Sequence, residues 1–321
     1  MSLKPLYQLL LQLVTDTYQT AINLFKIMIP VSILVKLLEY FDLIQYIGKA
    51  LSPLMRCIGL PGEMGLVWAT TMITNIYGGM LTYFTLLAHH HYSTAQITIM
   101  CALMLVAHTL PVELRVAQKA GVNFVAMFLI RFLFAFFSGF LLHALYSLTG
   151  TLQEEAILTT QLIKPITDTS LSGWLLGEAE RYAKITLYIF ALISFMKLLH
   201  AIGFIKLLAN SLKPILGILG ISKAVIPITV IGSTLGILYG GALIIKASEE
   251  QQLPKMEVFY AMTLMGLCHS LIEDSILMMS LGAHYSGVFL FRMIFAFTCT
   301  FLIVKITKAL PKKWCEKYLV N

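Results

Sequence analysis

Charge is what this sequence has least of. Only 12% of its 321 residues are Asp, Glu, Lys or Arg, against about 25% in ordinary soluble domains. Its five cysteines (Cys57, Cys101, Cys268, Cys299 and Cys315) are odd in number and show no CxxC spacing. That argues against a disulfide framework and leaves them as small apolar helix residues. The usual catalytic signatures are missing as well: no HExxH, GxSxG, P-loop or GxGxxG occurs, so nothing reads as a common hydrolase or nucleotide-binding motif. The first twenty residues lack a charged n-region followed by an unbroken apolar stretch and a small-residue cleavage site. A cleaved signal peptide is therefore not expected, and the first crossing near residue 20 serves as the insertion signal. The triple histidine at 89–91 has no counterpart in the later "SEEQQLPK" and reads as a solvated turn.

What is present is apolar. Hydrophobic residues make up 58% of the chain, and mean hydropathy is +0.83. The runs 20–38, 123–149, 185–205 and 287–306 approach the ~20 residues that span ~30 Å of hydrocarbon. One such run fits inside a large soluble core, but four do not. The expectation is an all-α polytopic membrane protein whose first partner is the lipid bilayer, with a homo-oligomer left open. The net charge of +7 gathers at the C-terminal end, which speaks for membrane orientation and not for nucleic-acid binding.

The chain also repeats itself at an offset of about 161 residues. "VKLLEYFDLIQYIGKALSPLMRCIGL" (35–60) aligns with "MKLLHAIGFIKLLANSLKPILGILGI" (196–221). After a one-residue slip, "NIYGGM" (75–80) meets "ILYGGA" (237–242). "AHTLPVEL" (107–114) then meets "CHSLIEDS" (268–275), and "FLIRFLFAF" (128–136) meets "FLFRMIFAF" (289–297). His108 thus pairs with His269, Glu113 with Asp274, and Arg131 with Arg292. Apolar sequence aligns easily by chance, but these polar residues do not recur in one order by chance.

Basic residues follow the histidine element in the first half (Arg115, Lys119) but not in the second, where 275–287 has none. The halves end oppositely too: 150–168 is acidic with one lysine, whereas 305–321 carries five. Under the positive-inside bias, 114–121 and 305–321 face the cytoplasm, and 150–180 and 275–287 face outward. Two inverted-topology repeats follow, each with an odd number of crossings: 1–150, then an external linker with an amphipathic helix over 151–182, then 183–321 with a cytoplasmic C-terminus. Inverted repeats recur in secondary transporters, which hold substrate where the halves meet.

Between the clear crossings, 43–58 and 204–219 mix apolar residues with Lys49 and Arg56, or Lys206 and Lys213, as interfacial amphipathic helices do. Residues 65–88 and 228–247 are apolar but interrupted by double glycine. Each reads as a broken or re-entrant helix turning at Tyr-Gly-Gly, or as close packing through small residues. The element "MGLCHSLIEDSILMM" (265–279) places His269, Glu273 and Asp274 within six positions, and Pro111 stands between His108 and Glu113. Both elements are expected to unwind just after the histidine. Ionised groups at membrane depth cost at least ~2.5–3.5 kcal/mol each. They therefore line a cavity, pair with a cation, or form buried ion pairs such as Glu113 with Arg131 or Asp274 with Arg292.

The repeat unit, with "LIQYIGKALSPLMRCIGLPGE" leading into "NIYGGM" and a His-to-acid helix, resembles the nucleoside-recognition, or Gate, domain. That domain occurs in the membrane parts of ferrous iron transporter B, concentrative nucleoside transporters, and spore maturation proteins A and B. "LIEDSILMM" (271–279) is similar to the Leu-Glu-Asp-Ser stretch of the iron transporter's gate region. The resemblance implies a multi-pass bacterial inner-membrane protein with transport-like architecture and no enzymatic activity. The functional expectation is a secondary transporter for a small polar solute or ion, nucleoside-like or a divalent metal. Asn75, Tyr77, Gly78, Gly79, Tyr239, Gly240 and Gly241 would contact the substrate. His108, Glu113, His269, Glu273 and Asp274 would couple transport to a proton, sodium or a divalent cation, with Arg131 and Arg292 pairing charge. No other cofactor is expected. The alternatives are a membrane enzyme using His269, Glu273 and Asp274 as metal ligands on a lipid-linked substrate, and a membrane scaffold.

Overall fold

A computed structural model of the chain describes residues 4–87, 91–157, 170–249 and 253–321. Among the described residues, the first half folds as seven helices: α1 (Lys4–Tyr40), α2 (Leu43–Arg56), α3 (Met64–Ile73), α4 (Ile76–Leu86), α5 (Thr94–Val106), α6 (Leu110–Lys119) and α7 (Phe124–Thr149). The second half repeats the series: α8 (Leu171–Ala201), α9 (Phe204–Ile218), α10 (Ile226–Leu235), α11 (Ile237–Glu249), α12 (Lys255–Leu267), α13 (Glu273–Ser280) and α14 (Arg292–Ala309). A π-wound turn over Ser286–Phe291 leads into α14, and a short α15 (Lys312–Tyr318) has no counterpart. The described residues form no strand, only two isolated bridges. Among the described residues, five stretches are long and apolar enough to cross a membrane: Leu10–Tyr40, Thr94–Lys119, Phe124–Thr149, Leu171–Ala201 and Ser286–Ala309. The protein is an all-α polytopic membrane protein.

The 161-residue period is written into the backbone. Left-handed residues recur in pairs at that spacing: Asp42 with Gly203, Gly59 with Gly220, Thr109 with Ser270, and Gly121 with Gly282. Three of these pairs mark helix ends, where a positive φ lets the chain leave the helix. The other, Thr109 with Ser270, falls inside the histidine elements, where Thr and Ser adopt it only uncommonly.

Residues 65–87 and 228–247 each form a helical hairpin. In the second, Gly232 of α10 packs on Gly240 of α11, residues too far apart along one straight helix to touch. In the first, Thr71 of α3 faces Gly79 of α4. The reversal falls at Thr74–Asn75 and at Gly236, two or three residues ahead of the Tyr-Gly-Gly expected to form it. Asn75 stops α3 and caps α4, its side-chain oxygen accepting from Gly78 N at 2.9 Å. The double glycines then begin the returning helix and allow it to lie against its partner.

Of the expected linker with its amphipathic helix, residues 171–182 belong to α8, one helix continuing to Ala201. Glu178 and Arg181 are buried there, with Arg181 donating to Glu178 at 2.6 Å and Ser32 of α1 donating to Glu178 at 2.7 Å. The charges that made this stretch look interfacial neutralise each other against α1. Of the triple histidine, only His91 is among the described residues; it is exposed and pairs with Glu155. Residues 158–169 and 250–252 of the expected linker and turn lie outside the described set.

Helix α7 separates the two ends of the molecule. At 26 residues it is about 39 Å long. At its start, Asn123 N donates to Leu319 O and Asn321 N to Gly121 O, which joins the basic 114–121 segment to the lysine-rich C-terminal segment. At its far end, Tyr146 Oη lies 3.1 Å from Ser286 Oγ, and Gly282 backs onto Ala156 and Ile157. The non-basic segment 275–287 therefore gathers with the acidic end of the first half.

Candidate functional site

Helices α5 and α12 both stop immediately before an Ala/Cys-His-Thr/Ser turn. Ala107 and Cys268 leave helical geometry, and Thr109 and Ser270 take positive φ of 49° and 45°. Unwinding thus takes in the histidine itself and does not begin after it. Pro111 then sits in the first turn of α6, where its missing N–H costs nothing. The break lies midway along Thr94–Lys119. Thr109 N donates to Thr71 O, and Leu271 N to Ser233 O, so each hairpin accepts an amide that its broken helix releases.

The two histidines face each other. His108 Nε2 and His269 Nε2 are 3.0 Å apart, and Glu113 Oε1 lies 3.4 Å from the first and 3.3 Å from the second. All three residues are buried. Each ring is held from behind, with His108 Nδ1 2.9 Å from Met104 O and His269 Nδ1 2.7 Å from Met265 O. Met104 and Met265 also pack on the hairpin glycines Gly79 and Gly240, which ties each hairpin to the histidine of its own repeat.

The arginines act as clamps on the breaks. Arg131 donates to Glu113 Oε2, to Val106 O at 3.0 Å and to His108 O at 3.2 Å. Arg292 donates to His269 O at 2.7 Å and to Leu105 O at 3.4 Å, but its Nε and Nη1 have no hydrogen-bond partner among the described residues. A guanidinium with five donors suits such a task, because an unwound turn leaves several carbonyls unpaired. Of the two expected ion pairs, Glu113–Arg131 forms. Asp274, one methylene shorter, makes no ion pair among the described residues, although it interacts electrostatically with Arg292, Glu273 and Glu113.

The remaining expected residues divide. Tyr77 is half-buried and interacts electrostatically with Glu273 and Asp274, so the first hairpin approaches the acidic element of the second repeat. Gly241 backs onto Val116 of α6, the reciprocal approach. Gly78, Gly79, Gly240 and Gly241 are all buried in this conformation, and Asn75 is engaged as a cap. Tyr239 lies in the first turn of α11. Glu273 lines a cavity of about 270 Å³ with Lys197, His200 and Ile205. The carbonyls of Met104 and Met265, which orient the rings, were not singled out from sequence. A main-chain acceptor leaves no residue-type signal, although position i−4 before each histidine was the place to look. As donors, His108, Glu113 and His269 offer ligand atoms within 4.8 Å of one another.

Broken helices, hairpins and a buried polar seam inside an all-α bundle describe a polytopic membrane protein. Residues 21–154 match the family model for Gate, described as nucleoside recognition, which covers the first repeat. The chain is also similar to YvoD, an uncharacterised membrane protein of Bacillus subtilis (strain 168), at 24% identity over 304 residues, covering 92% of this chain and 93% of that one. No solved structure matches.

Proposed function

We propose that this protein is a secondary transporter of a small polar solute or ion, in which two inverted repeats rock against each other around a site at their seam. The observation that carries this reading is the meeting of His108 and His269, equivalent residues of the two copies, at 3.0 Å in the interior. A cluster that only stabilised one repeat would have no reason to be shared between both. Inversion is supported by the first repeat's odd count, three long stretches beside one hairpin. It is supported as well by the gathering of segments 114–121 and 275–287 at opposite ends of α7.

Under this reading Asn75, Tyr77, Gly78, Gly79, Tyr239, Gly240 and Gly241 contact the substrate as a hairpin withdraws. Asp274 and Glu273 continue the polar path from the histidines to the 270 Å³ cavity beside Lys197. The protein resides in a bacterial inner membrane, with the lysine-rich end cytoplasmic. Breaking and remaking close hairpin contacts suits alternating access, because packed interfaces switch between discrete arrangements. The nucleoside-recognition description of the matched family supports a nucleoside-like solute as one candidate. The test is flux into proteoliposomes across a panel of nucleosides and divalent metals, with and without a pH gradient. At least one solute should enter, and His108→Ala and His269→Ala should each abolish its entry. Uptake of nothing on the panel, with purified protein turning over a lipid, would replace transport with membrane enzymology.

A further inference from the structure

We infer that His108, His269 and Glu113 form a binding site for one divalent transition-metal cation. The argument starts from the main chain. Met104 O and Met265 O can only accept hydrogen bonds, so the ring nitrogens lying 2.9 and 2.7 Å from them carry the hydrogens. In each neutral ring the other nitrogen, Nε2, is then a bare lone pair. These two lone pairs face each other at 3.0 Å, and Glu113 Oε1 faces both. Three acceptors converge in a buried space with no donor among them. Such an arrangement is repulsive unless a cation occupies its centre.

The spacing fits a metal. A point equidistant from three atoms separated by 3.0, 3.3 and 3.4 Å lies about 1.9 Å from each, just under the ~2.0–2.2 Å of zinc–nitrogen and zinc–oxygen bonds. A small displacement out of the plane brings all three to bonding distance and leaves a further position open on the exposed side of the ion. Two imidazoles and one carboxylate favour ions of the zinc, cobalt, nickel or iron(II) type over magnesium or calcium, which prefer all-oxygen shells. The supporting groups are those a metal site requires: a carbonyl behind each imidazole, and Arg131 on the second oxygen of Glu113, leaving Oε1 free to ligate. Asp274 interacts electrostatically with Glu113 and with Arg292 and supplies a further carboxyl nearby. Binding itself depends only on this geometry; the ion's role as cargo or coupling ion rests on the transport reading.

The test is titration of tag-free protein in nanodiscs with cobalt(II) alone, read by its visible absorption bands. One cobalt(II) per chain is expected. His108→Ala and His269→Ala should each weaken binding beyond the roughly 10–100-fold that outer-shell changes cost. His269→Cys should keep the ion and add a thiolate-to-cobalt charge-transfer band in the near ultraviolet, a signature that misfolding does not produce. No saturable binding to wild type, undiminished binding to His108→Ala, or a folded His269→Cys protein without the new band would each overturn the inference and leave a proton as the shared cation. Uptake of a nucleoside by protein that binds no cobalt(II) would refute the metal site and keep the transporter. Binding without flux of any solute would keep the site and refute transport.

Discussion

Removing Arg131 should destabilise this protein more than removing Arg131 and the charge of Glu113 together. In Arg131→Met, Glu113 keeps a buried carboxylate whose Oε2 has lost its partner, and the carbonyls of Val106 and His108 lose their donors. Breaking a buried pair by deleting one partner costs about 3–5 kcal/mol, chiefly through the charge left behind. In the double variant Glu113→Gln/Arg131→Met that charge is gone. The remaining cost is that of the two unpaired carbonyls, about 1–3 kcal/mol each before relaxation. The coupling between the positions should therefore come out favourable by roughly 1–3 kcal/mol, within the range found for residues in one network. The assay is unfolding by SDS in mixed micelles, followed by circular dichroism, on wild type, both single variants and the double. A double variant less stable than Arg131→Met would refute the reasoning. So would an Arg131→Met protein within about 1 kcal/mol of wild type.

Other outcomes follow from the same geometry. Gly240→Val puts a branched side chain against the Gly232 backbone and should cost at least the ~1–3 kcal/mol of overpacking, measured in the same unfolding assay; a neutral result would mean α10 and α11 do not pack as described. Thr109→Gly relieves a β-branched residue at φ 49° and should stabilise by up to about 1 kcal/mol, the strain of a left-handed residue less the added freedom of the unfolded chain. A clear loss of stability there would mean the threonine side chain supports the break. Arg181→Met should destabilise by a few kcal/mol, because Glu178 then loses its cationic partner and keeps only neutral hydroxyls such as that of Ser32; no effect would return this part of α8 to the membrane surface.

Much of this was legible in the sequence because the polar residues are so few. Against an apolar background, His108/His269 and Arg131/Arg292 stand out as pairs, and the helices recur at the offset those pairs set. The pairing of Glu113 with Arg131 was readable from their recurrence after the histidine. That Asp274 makes no ion pair with Arg292 among the described residues was not, since sequence does not give the distance between them. The hairpin turns fell ahead of Tyr-Gly-Gly because Asn75 and Gly236 end the first helices, while the glycines serve the return packing. Residues 171–182 are a different case. Glu178 and Arg181 look amphipathic in sequence, but they neutralise each other and bury against a helix nearly 150 positions away. That histidine would meet histidine across the seam was beyond sequence as well, since a repeat says which residues are equivalent and not which ones touch.

The central claim, a duplicated bundle whose copies run in opposite directions, is tested most directly by sidedness. In a cysteine-free background, Lys119→Cys and Tyr285→Cys place single thiols at exposed positions near opposite ends of α7. A membrane-impermeant maleimide applied to intact cells should label Tyr285→Cys, and should reach Lys119→Cys only after the membrane is opened. Labelling of both from the same side would contradict the account.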